Sequence, residues 1–276
     1  MRIAIVTDST SDLPKYLIKE MPIFINPAIL VIDRHSYEDG KGISRQRFYE
    51  LLPNMEPPPT TAAPSVGSFE LLYEKLIRDG YEYVLSIHAS AQLSGIVNSA
   101  YTAADKYKKS VQVIDSEQLS LGLGFQVLEA AQLAKFRYPL DLILNRVANL
   151  RNRIQVIAML DTLDFVQRSG RVSWAKALLG SMLKIKLFVE LKNGAVHNIG
   201  QVRTRRKGFA HLLKLISELG PVERLAILHT NAEIEAQNLL HNLGKEISNS
   251  NLVVNVTTVI GTHVGPGGLG FAAVVK

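Results

Sequence analysis

The sequence predicts an α/β fold. An N-terminal three-layer α/β/α domain on a parallel sheet takes residues 1–160, and a smaller C-terminal two-layer α+β domain with a mixed sheet takes residues 161–276. Three observations predict it. Strand-like and helix-like runs alternate through the first half, as in parallel strands joined by crossover helices. Asn193-Gly194 lies between two extended runs, 184–192 and 195–202, and is the strongest short signal for a hairpin. Two further helix–strand pairs and a final apolar strand then give the second half its α+β character.

The elements follow in order. Residues 2–7 read as a strand that runs into the polar stretch Asp8-Ser9-Thr10-Ser11-Asp12. Residues 23–32 are extended and apolar, interrupted by Pro27, and 44–52 form a short helix with Ser44 as N-cap. The run Pro57-Pro58-Pro59-Thr60-Thr61-Ala62-Ala63-Pro64 cannot be helical, because each proline restricts the residue before it. Ser65 then caps an amphipathic helix with Val66, Phe69, Leu72, Tyr73, Leu76 and Ile77 on one face, stopped by Gly80. A strand over 81–87, a helix over 96–108, a strand over 111–114, helices over 119–136 and 139–151 and a strand over 155–160 complete the first domain. A polar link over 161–173 leads to a helix over 174–183 and the hairpin. A helix (205–219), a strand (224–229), a helix (234–247), a strand (253–259) and a last strand (271–275) close the second domain.

Composition excludes several function classes. The chain has no cysteine, so disulfides, thiol nucleophiles and cysteine metal sites are ruled out. No run of eighteen apolar residues predicts stable membrane insertion, and the first residues enter a strand with no signal peptide, which predicts a cytoplasmic protein. The net charge of +6 is scattered in small groups without interleaved aromatics, so no nucleic-acid-binding module is predicted. There is no G-x-x-x-x-G-K-[ST] phosphate loop, no G-x-S-x-G elbow and no H-E-x-x-H pair. No metal site and no catalytic residue are assigned.

The most informative stretch is Ile87-His88-Ala89-Ser90-Ala91-Gln92-Leu93-Ser94-Gly95, between a strand and a helix. Ser94 and Gly95 there fit either an ordinary helix cap or a small-anion site, where a hydroxyl and exposed N–H groups meet the positive end of a helix. Such positions, like Asp8-Ser9 and Asp115-Ser116, lie at the carboxyl ends of the strands, where parallel sheets bind ligands. Gly265-Pro266-Gly267-Gly268-Leu269-Gly270 matches G-x-G-x-x-G but precedes a strand instead of a helix, so it reads as a tight turn. His263 beside it is a hydrogen-bonded structural histidine or a cleft residue. Arg171 and Arg203 read as surface charges or anion contacts, and Trp174 as core.

Taken together the motifs resemble the DegV family, the fatty-acid-binding subunit of bacterial fatty acid kinase, from end to end. The resemblance rests on Thr7-Asp8-Ser9-Thr10-Ser11-Asp12-Leu13-Pro14, Thr61-Ala62-Ala63-Pro64-Ser65, Leu93-Ser94-Gly95 with Ser99-Ala100, and Val113-Ile114-Asp115-Ser116. It continues in Gly170-Arg171-Val172-Ser173, Lys184-Ile185-Lys186, Val202-Arg203-Thr204 and Gly261-Thr262-His263-Val264-Gly265-Pro266-Gly267. Ala62, Ile96, Ser169 and Leu187 depart from the family's common serine, threonine, glycine and proline; Ile96 removes one hydroxyl close to the anion site.

The resemblance implies one long-chain fatty acid in an interdomain tunnel. It implies carboxylate binding by Thr61, Ser94 and Gly95, with His263 in the same hydrogen-bond network. Arg171 and Arg203 are implied to serve kinase docking or phosphate contact. The implied role is non-catalytic: the chain presents the carboxylate to an ATP-binding kinase subunit, and the acyl-phosphate goes on to an acyltransferase. No cofactor is implied besides the bound fatty acid. Burying the tail contributes roughly 0.8 kcal/mol per methylene, and neutral donors satisfy the head group without the shielding of a bidentate arginine. Two other readings are a stand-alone small-molecule kinase related to dihydroxyacetone kinase, with His263 catalytic, and a lipid sensor.

Overall fold

The computed structural model describes residues 1–170, 185–244 and 252–276. In chain order the elements are β1 (Ile3–Asp8), α1 (Lys15–Ile18), β2 (Ile23–Asn26), β3 (Ile29–Ile32), β4 (His35–Glu38), α2 (Arg45–Leu51), β5 (Thr60–Ala62), α3 (Val66–Arg78) and β6 (Tyr83–His88). Then come α4 (Ile96–Ala104), β7 (Val111–Asp115), α5 (Leu121–Lys135), α6 (Leu140–Arg151), β8 (Ile154–Leu160), α7 (Asp164–Arg168), β9 (Lys186–Lys192) and β10 (Ala195–Val202). The chain finishes with α8 (Arg205–Ser217), β11 (Val222–His229), α9 (Glu233–Asn242), β12 (Leu252–Asn255), α10 (Thr258–Val264) and β13 (Leu269–Val275).

One compact unit is formed by Met1–Ile29, Ala62–Asn152 and the turn Asn193–Ala195. Its sheet runs β2-β1-β6-β7 with every pair parallel. All six residues of β1 are buried, so helices cover both faces of this sheet. α3 pairs with α4 and α5 with α6. α3 is the amphipathic helix expected: the Ser65 side chain accepts from the Ser68 N–H, and Phe69, Tyr73 and Leu76 are buried. α5 comes so close to the end of β1 that a Cβ on Gly124 would stand 2.6 Å from the Ser11 carbonyl oxygen. The expected helix over 96–108 is α4 followed by a 3-10 turn, Asp105–Tyr107.

The second unit is formed by Leu30–Thr61, Arg153–Lys192 and Val196–Lys276. Its main sheet has the order β10-β9-β8-β13-β11-β12. β8 is antiparallel to both β9 and β13, β13 is antiparallel to β11, and β11 is parallel to β12, so the sheet is mixed as expected. Leu212 and Ile216 of α8 and Ala236 and Leu239 of α9 pack on Met159, Phe188, Leu225, Ile227 and Phe271 of the strands. A small sheet, β4-β3-β5, accompanies α2.

The α/β class and the two sheets are as predicted, but the division is not. A single cut near residue 160 fails for two reasons. β8, expected to end the parallel sheet, pairs with strands of the mixed sheet instead. The extended run 23–32 is two strands, broken around Pro27, and they belong to different sheets: β2 pairs with β1, while β3 lies between β4 and β5. The second unit therefore takes more of the chain than the first, not less.

Two local expectations change as well. The link 161–173 contains the short helix α7. The strand expected over 253–259 stops at Asn255, and Val259 lies in α10, whose N-cap Thr257 accepts from the Ile260 N–H. The β-branched run Thr257-Thr258-Val259-Ile260 suits a strand locally; tertiary burial overrides that preference. The Asn193-Gly194 hairpin is present with both residues at positive φ, 50° and 78°, as a type I′ turn requires. The expected helix over 174–183, together with Arg171 and Lys184, lies outside the described residues, as does the end of the helix expected over 234–247. Among the described residues no helix is long and apolar enough to cross a membrane.

Candidate functional site

In the first unit β1, β6 and β7 end together at Asp8, His88 and Asp115. The Asp8 carboxylate is fully buried and collects donors from three directions. His88 Nδ1 lies 2.9 Å and the Ala89 N–H 3.2 Å from Oδ2, and the Thr10 N–H lies 3.0 Å from Oδ1, which the Thr10 hydroxyl also meets. Burial pushes the Asp8 pKa up, but the His88 hydrogen bond and charge, with those of Thr10 and Ala89, outweigh it and hold the carboxyl below the ordinary value. The chain continues from His88 Nε2 to Ser86 Oγ at 2.7 Å and on to the Tyr73 hydroxyl at 2.8 Å. Burial pushes the Tyr73 hydroxyl pKa far up, against a small opposing effect of the Ser86 bond.

This frame carries the loop 89–95. Ser90 N donates to Gln118 O at 3.0 Å, Ser90 Oγ to Gly194 O at 2.7 Å, and the Ala91 N–H to Asp115 Oδ2 at 3.2 Å. The Leu93 and Ser94 N–H groups turn back onto Ser90 O. Ser94 is half-buried, and its Oγ accepts from the Ile96 N–H at 3.3 Å. Gly95, with φ −75° and ψ 1°, occupies the N-cap of α4. A Cβ added there meets nothing within 4 Å among the described residues, so neither φ nor packing demands glycine. Ser94 thus does part of a cap's work from one position earlier, and the space beside Gly95 is open among the described residues.

In the second unit Thr61, the middle residue of β5, meets His263 in the last turn of α10, with Oγ1 and Nε2 2.9 Å apart and both residues half-buried. When Nε2 carries the proton it donates to Oγ1, and the Thr61 hydroxyl hydrogen is left to donate to an acceptor such as a carboxylate oxygen. The glycine turn follows His263 in the chain. Gly265, at φ 74°, sits where a Cβ would be 2.6 Å from Cε2 of Phe165. The Gly267 and Gly268 N–H groups donate to Thr230 O and Oγ1, each at 2.6 Å, and Arg205 Nη1 donates to Gly267 O at 2.5 Å. These turn amides are spent inside the fold, as befits the tight turn expected here.

Arg203, just after β10, is exposed and has no ion pair among the described residues, whereas Arg171 lies outside them. The described residues contain no group of three or more histidine or acidic side chains able to hold a metal. Sequence reasoning quoted Asp8 and His88 but not their pairing. The signal was a carboxylate and an imidazole at the ends of two strands adjacent in a parallel sheet.

Fold and site define a two-unit α/β protein with the Thr61 hydroxyl and the His263 imidazole paired in one unit and a buried Asp8–His88 frame in the other. The chain belongs to the DegV family. The family model described as "Uncharacterised protein, DegV family" matches residues 2–276. The chain is 34% identical to Protein DegV of Bacillus subtilis (strain 168) over 278 residues, covering 98% of each. A solved structure described as "Fatty Acid Binding of a DegV family Protein from Thermus thermophilus" superposes with a TM-score of 0.92 at 32% identity, over 100% of both chains. The crystal structure of DegV from Bacillus subtilis, described as a fatty acid binding protein, has a TM-score of 0.88 at 32% identity, again over 100% of both chains.

Proposed function

We propose that this protein binds one long-chain fatty acid, takes its carboxylate on the Thr61 hydroxyl, and presents that carboxylate to an ATP-binding kinase subunit. The observation that carries the reading is the Thr61–His263 pair at 2.9 Å: with Nε2–H donating to Oγ1, the threonine hydroxyl hydrogen is left for an acceptor. The Thermus thermophilus and Bacillus subtilis relatives, both described as fatty-acid-binding and both alike over their whole length, support the ligand class. Ser94 and Gly95 enter as further carboxylate contacts.

The chemistry follows from neutral donors. A carboxylate oxygen that accepts one or two such bonds keeps a lone pair for attack on the γ-phosphorus of ATP; the new P–O bond forms as the bond to ADP breaks. This chain has no G-x-x-x-x-G-K-[ST] loop, so the nucleotide and its Mg²⁺ belong to the partner subunit. The acyl-phosphate is then carried to an acyltransferase. Arg171 and Arg203 serve kinase docking or phosphate contact.

Native mass spectrometry of freshly purified protein tests the ligand: an adduct in the fatty-acid mass range is expected. Absence of any adduct, with no palmitate binding by calorimetry, overturns the reading. Arg203→Ala is expected to retain the lipid and lower turnover by the kinase subunit; unchanged turnover removes Arg203 from its assigned role.

A further inference from the structure

We infer that Tyr49 is a positioning residue for His263. The inference rests on the Thr61–His263 reading and extends it to α2, which that reading does not use. Arg45 and Tyr49, one turn apart on α2, both reach the segment that starts α10. The Arg45 guanidinium donates to the Asn255 carbonyl. The Tyr49 hydroxyl lies 2.9 Å from Val256 O and 3.1 Å from Thr257 O, so its single hydrogen is shared between neighbouring acceptors. Three consecutive carbonyls are therefore held by one turn of α2.

The contact continues along α10. A Cβ on Gly261 would stand 2.5 Å from both Cε1 and Cζ of Tyr49. Gly261 lies within a helix, so its glycine answers the close approach of the ring, not an unusual backbone angle. His263 follows two residues later in the same seven-residue helix. So short a helix moves as one piece, and the height and rotation imposed at 256–261 set where Nε2 meets Thr61 Oγ1. A hydrogen bond at 2.9 Å weakens steeply when its partners are displaced or misaligned.

The bland alternative is a core filler. Tyr49 is 1% exposed and packs with Leu30, Phe48, Leu52 and Phe165. Phenylalanine would fill that role as well. The buried hydroxyl, aimed at two carbonyls leading into α10, distinguishes the two.

The experiment is Tyr49→Phe in the full chain, which keeps the ring and deletes the hydroxyl. The His263 imidazole is followed by nitrogen-proton NMR for tautomer and titration midpoint, with the exposed His241 as internal reference. Palmitate affinity is measured on the same samples. The His263 signals should move while those of His241 stay, and palmitate affinity should fall about fivefold, as for one net hydrogen bond. A lowered melting temperature with unmoved His263 signals overturns the inference, because a merely structural hydroxyl gives that result. The imidazole readout needs no ligand, so it stands even if palmitate binding proves insensitive to Thr61→Ala and His263→Ala, a result that would instead overturn the functional reading.

Discussion

His88 Nδ1 lies 2.9 Å from Asp8 Oδ2, and neither side chain touches solvent. The buried chain runs from Tyr73 through Ser86 and His88 and ends on the Asp8 carboxylate, which accepts from His88, Thr10 and Ala89 at once.

Asp8→Asn should therefore be strongly destabilising. The amide has nearly the same volume, but its NH₂ replaces an acceptor where donors converge. A loss of about 3–5 kcal/mol is expected at pH 7, as for breaking a buried charged pair, measured by urea unfolding. The pH dependence has a definite sign. Folding lowers the Asp8 pKa, so its contribution is fully present above the unfolded carboxyl value of about 3.9 and disappears as pH falls through the lower folded value. The gap between wild type and variant should shrink below about pH 4. A gap that stays constant down to pH 3 would show that the carboxylate charge is not what stabilises the fold.

Thr61→Val keeps the side-chain shape and removes the hydroxyl proposed to donate to the carboxylate. A hydrogen bond to a charged acceptor contributes about 1.5–3 kcal/mol, so palmitate should bind roughly 10- to 100-fold more weakly. The melting temperature should hardly change, because Thr61 is half-buried on a three-residue strand. Ser94→Ala, alone and combined with Thr61→Val, asks whether both hydroxyls act on one head group. Non-additive losses are expected; strictly additive losses would assign Ser94 to loop structure alone.

The contrast between α3 and α10 explains what was legible in the sequence. α3 announces itself locally, with a capping serine, an apolar stripe and a terminal glycine, all within sixteen residues of one another. The Asn193-Gly194 turn is equally local. α10 is helical for reasons that include Tyr49, which bonds carbonyls 207 and 208 residues away. No window on the sequence contains both partners. β8 failed in the same way: its apolar pattern predicts a strand, but which sheet accepts it is decided by β9 and β13. Thr61, His263, Asp8 and His88 each stand out locally in the sequence, but the pairs Thr61–His263 and Asp8–His88, 202 and 80 residues apart, are products of the fold.

Gly95→Ala separates folding from binding. The residue has an ordinary φ of −75°, and an added Cβ meets nothing within 4 Å among the described residues. Alanine should leave the melting temperature unchanged or raise it slightly, by about 0.4–1 kcal/mol in stability, since it restricts the unfolded chain. If the open face serves a carboxylate, palmitate affinity should drop in the same variant. Unchanged affinity would take Gly95 out of the binding site.

Arg205 sits in the first turn of α8, where the helix dipole disfavours a cation, so its reason for being there is tertiary. Its Nε and Nη2 form a two-point bond to Glu235 at 2.9 and 2.6 Å, while Nη1 reaches Asp161 at 3.3 Å and the Gly267 carbonyl at 2.5 Å. Lys186 meets the same Asp161 carboxylate at 2.7 Å. Arg205→Lys keeps the charge but has no planar fork to serve Glu235 and Gly267 together. A loss of about 1–3 kcal/mol is expected, the range for leaving such partly buried acceptors unmet, read from urea unfolding. Hydrogen exchange should rise first in the Gly265–Gly268 turn, because Arg205 and Thr230 both hydrogen-bond to it. Unaltered exchange there, with stability equal to wild type, would mean that Thr230 secures the turn without Arg205.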